Sequence, residues 1–165
     1  METVDVREKP QKASIVSGYF SPLHQGHLDL FEEARARSGH LIVIVNNDRQ
    51  QILKKGRVIQ SEGPRARIVG ALRVVDAVYI AVEDGPGIDG SFDLIRADFP
   101  TTELEFCNGG DRGGIGDLPQ EEIASAERNR ITLLYGIGGT DKADASSRII
   151  AALEQPGTSR ASGVS

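Results

Sequence analysis

Two imidazoles stand three residues apart in Gly18-Tyr19-Phe20-Ser21-Pro22-Leu23-His24-Gln25-Gly26-His27. That spacing puts both on one side of a helix's first turn. Histidine donates to a phosphoryl oxygen in either protonation state and can gain charge as negative charge builds up in a transition state. Gly26 lets an anion approach the backbone closely. A helix starting here would add free N–H groups and the positive end of its dipole. The segment therefore suits a polyanion. Zinc fits poorly, because His24 and His27 come without a fixed third ligand and Cys107 is the only cysteine. A single cysteine also rules out an intramolecular disulfide framework and suits a reducing compartment.

Such a loop needs a strand before it and a helix after it. Residues 13–17 (ASIVS) and 41–45 (LIVIV) are continuous apolar runs with β-branched side chains, the pattern of parallel strands covered on both faces. Between them Leu28, Leu30, Phe31 and Ala34 recur at helical spacing, and Gly39 follows as a C-terminal cap. The alternation continues as helix 65–72, strand 77–82, helix 92–97, strand 103–107, helix 119–128, strand 131–135 and helix 146–153. It predicts an α/β fold, a Rossmann-like open parallel five-stranded sheet with helices on both faces. Ligands of such sheets bind beyond the carboxyl ends of the strands.

The chain of 165 residues is one domain's worth. Its expected organisation is a flexible stretch 1–12, a domain 13–154 and a disordered Ser/Gly/Pro-rich tail 155–165. Residues 1–12 are charged and no apolar run approaches ~18 residues, so neither a membrane span nor a secretion signal is expected, and the location expected is cytoplasmic. The net charge of −5 disfavours nucleic acid or an anionic membrane as partner; an anion must be met by a local pocket. Nineteen glycines exceed the usual ~7% share and gather in loops: Gly18 and Gly26, Gly56, Gly109 to Gly116, and Gly136 to Gly139. Glu83, Asp84, Asp89 and Asp93 read as a solvated rim rather than a metal site. Cys107, ending an apolar strand, reads as a small buried hydrophobe.

The loop GxFxPxHxGH resembles the HxGH signature of the cytidylyltransferase-like nucleotidylyltransferase superfamily. The likeness runs from about residue 14 to 152. It takes in LIVIVNND, Lys54-Lys55-Gly56, Arg67, Leu72-Arg73-Val74-Val75-Asp76, Gly109-Gly110-Asp111, Gly138-Gly139 and the Ser-rich segment 142–148 (KADASSR). Among members it is similar to heptose-1-phosphate adenylyltransferase domains and glycerol-3-phosphate cytidylyltransferases. The resemblance implies that a phosphorylated small molecule attacks the α-phosphorus of CTP or ATP and pyrophosphate leaves, with no covalent enzyme intermediate. For in-line transfer the protein mainly positions anions and neutralises charge.

By the same resemblance His24 and His27 hold the nucleotide phosphates, and Gly18, Tyr19, Phe20 and Gly26 shape the turn beside them. Lys54 or Lys55, on the loop after the second strand, meets a phosphate. Arg73, Gly110, Asp111, Arg112, Lys142, Ser146 and Ser147 join the nucleotide site, and Arg148 stands beside a missing hydroxyl at Ala145. Mg²⁺ is implied as the triphosphate's companion, held by substrate oxygens and water rather than by protein side chains. A homodimer is implied as well. Ser21 stands where many members carry aspartate, and Ser21-Pro22 resembles nicotinamide-mononucleotide adenylyltransferases, which leaves the acceptor open. A non-catalytic nucleotide-binding module is the alternative from another class.

Overall fold

The computed structural model describes residues 8–109 and 119–137, with Leu153. Residues 1–7 of the expected flexible stretch, 146–152 of the expected last helix and the whole expected tail 155–165 lie outside the described residues.

Five strands, β1 (Lys12–Gly18), β2 (Leu41–Val45), β3 (Ala77–Ile80), β4 (Glu103–Gly109) and β5 (Ile131–Ile137), form one parallel sheet in the order β3-β2-β1-β4-β5. The chain builds outward from β1 through β2 to β3, then crosses back to lay β4 on the other side of β1. This reversal places a crevice beyond the carboxyl ends of β1 and β4, where ligands of open α/β sheets bind.

Strand alternation sends neighbouring side chains to opposite cores. Ala13, Ile15, Ile42, Ile44, Leu104 and Phe106 pack with α4 (Asp89–Asp98) and α5 (Gln120–Arg128) through Phe92, Ile95 and Ala126. Val16, Val43, Val45 and Cys107 pack on the other face with α1 (Gln25–Ser38) and α3 (Glu62–Gly70) through Phe31, Ala34 and Val69. All five residues of β2 are buried, which is why it reads as an unbroken apolar run. Gly39 caps α1 in the left-handed region at φ 82°.

One helix departs from the expectation. Residues 48–55, read as a loop from sequence, form α2 (Asp48–Lys55). Asn47 caps it by accepting from the Gln50 N–H, Gln50 reaches back to the Asn47 N–H, and Gly56 closes it at φ 81°. Its buried face consists of Gln50 and Gln51, so no apolar period announces it.

Candidate functional site

β1 feeds the loop 19–24 directly into α1. Gly18 allows the turn: a Cβ there would lie 2.8 Å from the Phe20 ring. Phe20 itself stands at φ 53°, an uncommon conformation for a side-chain-bearing residue. Its buried ring meets Phe31 at 5.3 Å and His27 at 4.8 Å, both edge-on. The core thereby reaches up to position a catalytic candidate.

The two histidines together build the cap of α1. The Gly26 N–H donates to His24 Nδ1 and the His24 N–H to His27 Nδ1, each at 3.1 Å. Their rings stack at 3.8 Å with 27° between planes. Sequence reasoning expected free N–H groups here; instead the Gly26 N–H is taken by His24 and the His27 N–H by the His24 carbonyl. Burial, then the neighbouring His24 and Lys55, push the His27 imidazole from the ordinary 6.5 down to about 3. His27 is therefore neutral at pH 7 in the free protein.

Both lysines lie on the last turn of α2, not on a loop. Lys55 is half-buried, its Nζ 3.4 Å from the Ser21 carbonyl and 5.4 Å from the centre of the Tyr19 ring. Burial and the charges of Lys54 and Arg65 lower its pKa. Lys54 is exposed, with Nζ 4.9 Å from the Tyr19 ring. Tyr19 thus sits under both ammonium groups as a cation–π platform. Of the pair, Lys55 is the one whose charge reaches His27.

Beneath this cluster lies a polar scaffold that sequence reasoning missed. Arg65, 1% exposed, donates to the carbonyls of Tyr19, Asn46 and Gln60 and to the Asp48 carboxylate. It ties the loop after β1 to the loop after β2. Gln50 accepts from Asn46 and donates to the carbonyls of Gly85 and Gly87, while Asn47 donates to those of Ala81 and Glu83. These bonds carry the tie on to the loop after β3. The Asn47-x-x-Gln50 capping spacing followed by Gly56 was the available signal.

Ser21, weighed from sequence as a marker of the acceptor, is fully buried and donates to Gln51 Oε1 at 2.9 Å. It braces the loop. Arg73 is not brought to the crevice. It precedes β3, three residues before Asp76, whose carboxylate accepts from the Leu41 N–H at the start of β2. The site lies past the other end of that five-residue strand, ~13 Å away at ~3.3 Å per residue.

The acidic residues read as a rim serve the fold: Glu83 accepts from the Ser91 N–H and Oγ, Asp84 pairs with Arg49, and Asp93 with Arg128 and Asn129. No group of three or more His, Cys, Asp or Glu able to hold a metal occurs among the described residues. Cys107 is buried, which pushes its thiol up to about 12. Gly110, Asp111, Arg112, Lys142, Ser146, Ser147 and Arg148 lie outside the described residues. Gly109, the last residue of β4, brings the chain to the crevice just before the first of them.

A model of the cytidylyltransferase-like family matches residues 15–98. The bifunctional protein HldE of Koribacter versatilis is 36% identical over 121 residues, 72% of this chain and 23% of that protein. The chain therefore spans under a quarter of that relative's length. A lipopolysaccharide core biosynthesis protein from Thermoplasma volcanium superposes with a TM-score of 0.55 at 20% identity, covering 81% of this chain and 98% of that one. A Vibrio parahaemolyticus protein provisionally assigned as a nicotinate-nucleotide adenylyltransferase reaches 0.57 at 16% identity, over 87% and 86% of the two chains. These two likenesses establish the fold. No described helix is long and apolar enough to cross a membrane.

Proposed function

The chain belongs to the cytidylyltransferase-like family, and from that premise we propose that it transfers a nucleoside monophosphate from ATP or CTP to a phosphorylated small molecule. The observation that carries this reading is the cluster His24, His27 and Lys55 at the β1/β4 crevice. Among the described residues no carboxylate pairs with Lys55, so its charge is left for a ligand. An acceptor phosphate oxygen attacks the α-phosphorus, the bond to the bridging oxygen breaks, and pyrophosphate leaves with the electron pair. The histidines and Lys55 meet charge that spreads over the phosphoryl and leaving oxygens. A phosphate acceptor is already ionised at neutral pH, so the protein's part is positioning rather than proton abstraction.

A sugar phosphate is the acceptor class we favour. The motif likeness to heptose-1-phosphate adenylyltransferase domains supports it, as does the 36% identity to the bifunctional protein HldE of Koribacter versatilis. Ser21 is buried and braces the loop, so the Ser21-Pro22 likeness bears on loop shape, and a nicotinamide-mononucleotide acceptor stays as the second reading. Mg²⁺ enters, in this reading, as the triphosphate's companion with phosphate oxygens and water as ligands. A homodimer and a cytoplasmic location remain part of the proposal, resting on the resemblance and the single cysteine.

The test incubates the protein with Mg²⁺, each nucleoside triphosphate and a panel of sugar and polyol phosphates, and follows pyrophosphate. Release that requires both one triphosphate and one phosphate ester is the expected result. No release from any pair by folded protein overturns the reading and favours a non-catalytic nucleotide-binding module.

A further inference from the structure

We infer that the cap of α1 locks the tautomers of His24 and His27, the backbone N–H groups of Gly26 and His24 holding the two Nδ1 atoms as acceptors, so that each neutral ring carries its proton on Nε2. A capping box normally pairs Ser or Thr at the N-cap with Glu or Gln three residues on. Here both positions are histidine and both contacts use Nδ1. A backbone N–H can only donate, so the ring nitrogen it meets must offer a lone pair. The Gly26 N–H imposes this on His24 Nδ1, and the His24 N–H imposes it on His27 Nδ1. In a neutral imidazole the proton then belongs to Nε2.

Turning either ring over would put a C–H in place of Nδ1 and forfeit its bond to the backbone. The two stack at 3.8 Å, and the Phe20 edge stands 4.8 Å from His27. Among the described residues, the groups facing His27 are His24 at the N-cap, Lys55 from α2 and the apolar Phe20 from the loop. None of the three rewards a second proton on His27. Protonation at Nδ1 would leave the Nε2–H in place but set N–H against N–H and break the cap, so gaining a charge and fraying α1 are one event.

The lock is a property of the free protein. Its consequence for phosphate binding by neutral donors, rather than by an imidazolium pair, rests on the proposed nucleotidylyl transfer.

Long-range ¹H–¹⁵N correlation spectra of the ¹⁵N-labelled, ligand-free full chain read the tautomers directly. The sequence holds three histidines, and His40→Gln identifies the third signal set. The other two are expected in the same state, so the result does not require telling them apart. Both should show a protonated Nε2 and a lone-pair Nδ1, and at least one of the two rings should remain neutral at pH 5. A protonated Nδ1 at either ring, averaging between tautomers, or ordinary titration of both rings near 6.5 overturns the inference. Because no substrate is present, failure of turnover in the separate pyrophosphate assay leaves these spectra unaffected, and the two readings fail independently.

Discussion

The two ends of the sheet handle charge in opposite ways. At the amino-terminal ends of the strands, acids meet bases. Glu105, nearly buried, accepts from Arg37 and Ser14 and lies 3.4 Å from Lys12, while Asp76 accepts from Arg35. Burial alone would raise the Glu105 carboxyl, yet the bonds from Arg37 and Ser14 and the charges of Arg37 and Lys12 hold it below its ordinary value. At the carboxyl ends, His24, His27, Lys54 and Lys55 crowd together, and burial with like charge depresses both His27 and Lys55. Among the described residues, Glu105 and Asp76 at one end each meet a base, whereas Lys54 and Lys55 at the other meet no carboxylate, and the proposed function assigns them an anion brought from outside. Perturbed groups of that second kind, set in a crevice, mark functional sites.

The largest expected break in this contrast comes from His27→Asn. The asparagine oxygen can take over the cap on the His24 N–H but offers nothing at the Nε2 position. Turnover should fall ~10²–10³-fold, the cost of removing one preorganised donor, with the urea midpoint little changed. At the opposite end Glu105→Gln should behave inversely. It loses about 2 kcal/mol of stability, because Arg37 and Lys12 lose their shared acid, although their partial exposure moderates the cost. Its turnover per folded molecule should be unchanged.

Smaller effects sharpen the boundary between the two ends. Lys55→Gln should reduce kcat/KM about tenfold or more, in the range of a lost charge-assisted contact, and Lys54→Gln far less. Comparable losses would show that the Tyr19 platform presents both lysines to the ligand. Arg73→Ala should leave turnover within about twofold, since it sits at the end of the sheet whose charges are already matched.

A pH series separates the ends again. His27 has a folded-state pKa below its unfolded 6.5, so the unfolded chain binds more protons and stability falls as pH drops from about 6.5 toward 3. The depressed carboxylates of Glu105 and Asp76 act only at lower pH, since their unfolded values are 4.5 and 3.8. Between pH 6.5 and 5 the slope of stability against pH should therefore become shallower in His27→Asn, leaving the part contributed by His40, whose pKa burial also lowers. An unchanged slope would place the titrating group elsewhere.

Much of this arrangement was legible in the sequence for identifiable reasons. Strand β2 announces itself because both its faces are covered, and α1 because Phe31 and Ala34 repeat at helical spacing under a left-handed Gly39. The histidine loop was legible from residue type and spacing alone. The helix α2 was not, because the side chains it buries are Gln50 and Gln51, held by hydrogen bonds that a hydrophobic pattern cannot record. Arg65 was hidden likewise: an arginine in a polar stretch carries no sign that it will bind three carbonyls and a carboxylate out of water. Arg73 shows the converse. A motif match assigned it to the nucleotide, but position along the motif does not specify which end of a strand a residue occupies; the crossover into β3 does.

The contrast between the ends is tested most directly by mapping backbone amide shifts on adding ATP with Mg²⁺, and CTP with Mg²⁺, to the ¹⁵N-labelled protein. One nucleotide should move Gly18 to Leu28 and Lys55 while leaving Lys12, Arg37, Arg73, Asp76 and Glu105 in place. Shifts centred on that second group, or none with either nucleotide, would contradict the account.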